Sequence, residues 1–200
     1  MQHRNLYQCL VFILLTFAIV VPVWAGAPVD AIKETTDKIL AIITDPNLKD
    51  PAKAKERRSL IRKAVDERFD WKEMSRRSLA RHWLKRTEEE KQAFVSLFGR
   101  LLERTYMDKV EDYAGEKVIY AGEVIDGEYG VVEVKIVTTK ETEIPVIYKL
   151  REKEEDWLVY DISIEGVSLI NNYRVQFNNM LARSSYENLV KKLQEKVAEE

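Results

Sequence analysis

Gly130-Val131-Val132-Glu133-Val134-Lys135-Ile136-Val137-Thr138 alternates apolar side chains on one parity with charged ones on the other. Ile144-Pro145-Val146-Ile147-Tyr148-Lys149-Leu150 repeats the pattern a short turn later. Period-two alternation puts one set of side chains on one face of a strand, so the two runs read as neighbouring antiparallel strands. Upstream, Val118 and Tyr120 with the turn-forming Asp126-Gly127 add a strand before them. Downstream, Trp157, Val159, Asp161 and Ser163 oppose Leu158, Tyr160, Ile162 and Ile164, so a last strand covered on both faces is expected, with Gly166 ending the sheet.

Ahead of Gly115 the period lengthens to that of helices. Val29, Ile32, Thr36, Ile39, Leu40 and Ile43 mark a first helix closed by Asp45-Pro46-Asn47. Asp50 with Pro51 has the form of an N-cap before a first-turn proline, and Leu60, Ile61, Ala64, Val65 and Phe69 give the next helix an apolar face. Asp70 and Glu73 have capping-box spacing and start a third helix through Met74, Leu79 and Trp83. Thr87 and Glu90 repeat the device before a long helix to about Tyr113, striped by Phe94, Leu97, Phe98, Leu101, Leu102 and Tyr106. After the sheet, a helix from Ser168 carries Leu169, Tyr173, Phe177 and Met180, and Ser184 with Glu187 caps another through Leu189, Val190, Leu193 and Val197. Helices, then an antiparallel meander, then helices, define an α+β class.

The N-terminus has its own grammar. His3 and Arg4 precede an apolar run from Cys9 to Val23, and Val23-Trp24-Ala25 follows with the small residues of a cleavage site. The run is short for a spanning helix and holds Pro22, so residues 1–25 read as a cleaved signal peptide, with an uncleaved anchor as the rival. Residues 26–200 then make a single domain. The chain's one cysteine, Cys9, leaves with the signal, which accords with export to an oxidising compartment. A net charge of −2, with both signs interspersed, shows no basic stripe for nucleic acid and no Lys/Arg cluster for anionic headgroups.

Catalytic furniture is sparse. His82 is the one histidine beyond the signal, in a charged helical stretch, and no G-x-S-x-G elbow accompanies it. Zinc or copper sites need clustered imidazoles or thiolates, and seven glycines in 200 residues include no phosphate-cradling loop. The acidic groups Glu88 to Glu90 and Glu154-Glu155 sit at a helix start and in a polar turn, where the macrodipole and solvent account for them. No catalysis, cofactor or metal is expected. Periodicity alone cannot separate a packed core from one hollowed for a ligand.

Three segments go further. Phe69-Asp70-Trp71-Lys72-Glu73-Met74-Ser75-Arg76 leads past Leu79 to Trp83, and Thr87-Glu88-Glu89-Glu90-Lys91-Gln92-Ala93-Phe94 continues to Phe98, Leu101-Leu102 and Thr105-Tyr106. Trp157-Leu158-Val159-Tyr160-Asp161-Ile162 runs into Ile164-Glu165-Gly166-Val167-Ser168-Leu169 and ends at Asn172-Tyr173-Arg174-Val175-Gln176-Phe177. Together they resemble the MlaC family, also called the toluene-tolerance auxiliary or phospholipid-binding family, over the whole chain beyond the signal. Ala80 departs from the glycine the family usually has after the leucine.

The resemblance implies a fold like nuclear transport factor 2, with helices packed on a curved antiparallel sheet around an apolar pocket. It implies a monomeric periplasmic carrier that shuttles phospholipid between inner and outer membranes and so maintains outer-membrane lipid asymmetry. Its implied partners are an inner-membrane ABC transporter complex bearing an MCE-domain protein and an outer-membrane lipoprotein complex. Phe69, Met74, Phe94, Phe98, Leu101, Val134, Ile136, Val146, Tyr148, Val167, Leu169 and Tyr173 are the expected lipid-lining residues. Arg174 is expected to pair with Asp161 or Glu165, a lipid phosphate being its alternative, and those two acids to fix the turn into the last helices. Two rivals remain at this level: an enzyme on the same fold using Asp161, and a chaperone or adaptor for apolar protein segments.

Overall fold

A computed structural model describes residues 27–198; the expected signal peptide lies outside the described residues. Helix α1 spans Pro28–Thr44, with proline at its start where a missing N–H costs nothing. Two short 3₁₀ turns, Pro46–Leu48 and Pro51–Lys53, lead to α2 (Ala54–Arg68). Asp50 therefore caps the second turn, its carboxylate accepting from the Ala52 N–H at 2.8 Å, and α2 begins later than expected. Phe69 falls just beyond α2, where an isolated bridge ties it to Val159 and the Asp70 N–H donates to the Val159 carbonyl at 2.9 Å.

Helix α3 (Trp71–Leu79) is N-capped by Asp70, which accepts from the Glu73 N–H at 2.9 Å. It stops at Ala80, whose φ of 47° breaks the expected run to Trp83 into a 3₁₀ segment over Ala80–Lys85. Helix α4 (Glu88–Glu111) opens on the reciprocal Thr87–Glu90 capping box. Five strands follow: β1 (Lys117–Asp126), β2 (Tyr129–Val137), β3 (Glu143–Lys153), β4 (Asp156–Ile164) and β5 (Val167–Ser168). They pair in sequence order, all antiparallel, into a curved, open sheet. Gly166, at φ 80°, makes the turn into β5 and does not end the sheet. Helices α5 (Leu169–Leu181) and α6 (Tyr186–Ala198) complete the chain.

Two bulges set which side chains face the helices. On β4, Lys149 pairs with Asp161 and Leu150 with Val159, so Tyr160 is an extra residue. The even residues Val146, Tyr148 and Leu150 consequently share a face with Ile164, Ile162, Val159 and Trp157. What reads as a strand apolar on both parities is a strand that changes parity once. On β1, Ala121 is the extra residue, which brings Glu123 onto the same face, where its carboxylate accepts from the Val29 N–H at the start of α1.

Two cores result. One joins α1 to the sheet through Ala31, Ile32, Val132, Val134, Val146, Leu150, Trp157 and Val159. The other is helical, joining α3 through α6 around Phe94, Phe98, Phe177, Leu101 and Leu189. Gly130 shows how closely the first is packed: a Cβ there would meet Pro28 and Trp157 at 3.1 Å. Arg68, 5% exposed, pins the layers together by donating to Asp156 Oδ1 at 2.5 Å, the Trp157 carbonyl at 2.8 Å and Thr35 Oγ1 at 3.1 Å.

Candidate lipid cavity

Between the two cores lies a cavity of about 500 Å³, within the usual size range of ligand sites. Its floor is one end of the sheet, Ile136, Val146, Tyr148, Ile162 and Ile164. Its walls are α1 (Ile32, Thr35, Thr36, Ile39), α2 (Ile61, Val65), Phe69, Trp71, Met74 and one side of α4 (Val95, Gly99, Leu102, Tyr106, Val110). Leu169 closes a corner.

Several polar side chains of this wall are occupied by the protein itself. Thr35 and Thr36 donate their hydroxyls to the carbonyls of Ala31 and Ile32 one turn back, at 3.0 and 2.8 Å. Asp66 accepts from the Trp71 indole at 2.8 Å, and Arg62 reaches across from α2 to the Glu103 carboxylate on α4. Burial pushes the Tyr148 phenol up to about 12, so it stays neutral in any physiological setting. Burial likewise raises Tyr106. Such a surface offers contact area and few directional groups, which suits alkyl chains and not a polar metabolite.

Of the expected lining residues, Phe69, Met74, Ile136, Val146, Tyr148 and Leu169 stand on the cavity wall. Phe94, Phe98, Leu101 and Tyr173 lie in the helical core, where Phe98 meets Tyr173 edge-on at 5.2 Å and Phe94 stacks on Phe98 at 5.8 Å. Val134 is packed in the core between the sheet and α1, and Val167 is 60% exposed on β5. Sequence reasoning passed over α1, α2 and the 95–99–102–106–110 side of α4, although that last spacing is itself helical.

The expected Arg174 pairing is corrected. Arg174 is exposed and donates to Asn171 on its own helix at 2.5 Å. Asp161, buried, instead accepts from the Ser168 hydroxyl at 2.8 Å, the Ile170 N–H at 3.1 Å and Lys149 at 3.4 Å. It fixes the turn from β4 into α5. His82 lies half-buried beside Asn178, 3.3 Å away, and is not on the cavity wall. Among the described residues, no three His, Cys, Asp or Glu side chains cluster as metal ligands, and no helix is long and apolar enough to cross a membrane.

The family described as MlaC protein matches residues 33–195. The chain belongs to the MlaC family. A relative in Haemophilus influenzae, the intermembrane phospholipid transport system binding protein MlaC, is 19% identical over 204 residues, covering 99% of this chain and 95% of the relative. A solved structure of a phospholipid-binding protein from Ralstonia solanacearum, in complex with a phospholipid, superposes with a TM-score of 0.76 at 26% identity. It covers 86% of this chain and 98% of that protein. The expected MlaC fold of helices on an antiparallel sheet is thus found here with its apolar cavity.

Proposed function

We propose that this chain is the soluble phospholipid-binding component of an Mla-type transport system, carrying lipid through the periplasm between the inner and outer membranes. The carrying observation is the apolar cavity between α1, α2, α4 and the sheet, walled mainly by aliphatic and aromatic side chains, with Thr35, Thr36 and Asp66 already hydrogen-bonded within the protein. The phospholipid in the Ralstonia solanacearum relative and the transport role in the name of the Haemophilus influenzae relative support the same reading.

Energetics explains why a carrier is needed and why it needs no catalytic group. A diacyl lipid in water exposes about thirty methylenes at about 0.8 kcal/mol each, a cost of more than about 20 kcal/mol. A cavity that replaces water around the tails removes most of that barrier and changes no covalent bond. In this reading residues 1–25 direct export and are removed, and residues 26–200 act as one monomeric domain. An inner-membrane MCE-domain ABC transporter complex and an outer-membrane lipoprotein complex load and unload it. Tolerance of solvents such as toluene follows from the outer-membrane lipid asymmetry so maintained.

Native mass spectrometry of protein purified from a bacterial periplasm, followed by solvent extraction, tests this directly. Diacyl phospholipid bound near one molecule per chain is expected. Stoichiometric protein free of lipid, with no uptake from labelled vesicles, would overturn it; a bound peptide would point to a chaperone.

A further inference from the structure

A second, polar cavity of about 520 Å³ adjoins the first and shares Arg62, Arg100, Glu103 and Met107 with it. Arg58 and Arg104 also line it. Arg58 and Arg62 stand one turn apart on α2, and Arg100 and Arg104 one turn apart on α4, so two like-charged pairs face one space. The sequence hides this cluster because it is assembled from two helices far apart in the chain.

Like charges at that helical spacing repel and call for compensation. The α2 pair has it. Arg58 meets Asp108 at 2.9 Å and Glu111 at 2.7 Å, and Arg62 is held by Glu103. The α4 pair does not. Among the described residues, neither Arg100 nor Arg104 has a carboxylate within 4 Å or a hydrogen-bond acceptor, and both side chains are exposed. Two uncompensated guanidinium groups thus flank the junction of an apolar cavity with a polar one. A ligand spanning both must be apolar at one end and anionic at the other.

We propose that Arg100 and Arg104, with Arg62 beside them, form a binding site for a phosphate group, that of the phospholipid whose tails occupy the apolar cavity. This rests on the carrier reading above. The planar guanidinium fork matches two phosphate oxygens at once, which an ammonium does not. Arg62 can exchange the Glu103 carboxylate for a phosphate oxygen without becoming unpaired. Because the site is open to water, it orients the headgroup outward and leaves it free to depart with the tails.

The test uses the charge-removing double variant Arg100→Gln/Arg104→Gln, whose sites are exposed and outside both cores. Wild type and variant are incubated with vesicles containing equal amounts of phosphatidylglycerol and diacylglycerol of the same chains, and the bound lipids are extracted and counted. The ratio of phosphatidylglycerol to diacylglycerol on the protein is expected to fall about tenfold in the variant. Diacylglycerol per folded molecule is counted alongside, because Arg100 also borders the apolar cavity: an equal fall in both lipids would mean that the variant damaged the cavity wall and would overturn the proposal. A free phosphate ion as ligand predicts a different result. Inorganic phosphate, at ionic strength held constant with chloride, would then raise the thermal midpoint of the wild type and not of the variant, with the lipid ratio unaltered. An unaltered ratio together with no phosphate-dependent midpoint would overturn the proposal. If the wild type takes up neither lipid, the carrier reading falls, and the phosphate midpoint alone decides for the arginines.

Discussion

Gly99 on α4 faces the indole of Trp71 across the cavity wall, close enough that a Cβ on Gly99 would sit 3.8 Å from the ring. That distance is ordinary van der Waals contact. Glycine inside a helix costs about 0.5–1 kcal/mol relative to alanine. Gly99→Ala is therefore expected to raise stability by about that amount and to leave lipid uptake intact. Gly99→Phe places a ring in the cavity, so lipid per folded molecule should fall while the fold persists. Lipid extraction and denaturant midpoints check both; undiminished lipid in Gly99→Phe would move the tails away from this wall.

Ala80 occupies φ 47°, ψ −124°, a region that favours glycine. A residue with a Cβ held in a sparsely populated region costs of order 1–3 kcal/mol, part of which glycine would return as extra freedom in the unfolded chain. Ala80→Gly should stabilise the protein by about 1 kcal/mol. A urea midpoint at or below that of the wild type would show that the surrounding contacts of α3 and the 3₁₀ segment relieve the strain.

The same position shows how far the sequence could be read. Ala80 stood out as the departure from the family pattern, and the backbone there is the one that makes glycine useful. Helix starts at Asp70 and Thr87 were legible because capping is local chemistry carried by neighbouring residues. The facing of β4 was not, because the extra residue at Tyr160 exists only in relation to its partner strand. The cavity was half legible for a related reason. Both sides of α4 carry helical spacing, and only tertiary packing decides that Phe94 and Phe98 meet α5 while Val95 and Tyr106 face open space. The arginine cluster of α2 and α4 left no local trace at all.

Glu73, buried on α3, accepts from Arg76 at 2.6 and 2.7 Å and from Arg77 at 2.7 Å. The Arg76 hydrogen bonds, helped by Arg77 and opposed by burial, hold its carboxyl at about 2, below its ordinary 4.5. A depressed folded-state value means the stabilisation is complete above pH 4.5 and is lost as pH falls from there towards 2. The full shift corresponds to about 3 kcal/mol, which the half-exposed Arg76 reduces by screening to roughly 1–2 kcal/mol. Glu73→Gln should cost that much at neutral pH, and its deficit against the wild type should shrink to roughly a few tenths of a kcal/mol by pH 2 and be gone below it. Urea melts across that range check the sign; a deficit that grows on acidification would contradict it.

Val134 and Val146 sit directly opposite each other on β2 and β3, 3% and 4% exposed, yet only Val146 borders the cavity. Val134 packs in the core that Ala31 and Ile32 of α1 help to form. Tryptophan at the two positions should therefore have opposite effects. Val134→Trp overpacks a filled core, at a cost of about 1–3 kcal/mol. Val146→Trp extends into space the tails need, so bound lipid should drop while the delipidated protein keeps its stability or gains some. Neighbours on one sheet face share backbone geometry, which leaves the presence of the cavity as the difference between them. Denaturant midpoints after delipidation, with bound lipid measured before it, separate the two. If both variants lose stability by core-like amounts and lipid per folded molecule is unchanged, this end of the sheet is ordinary core and the tails are held elsewhere.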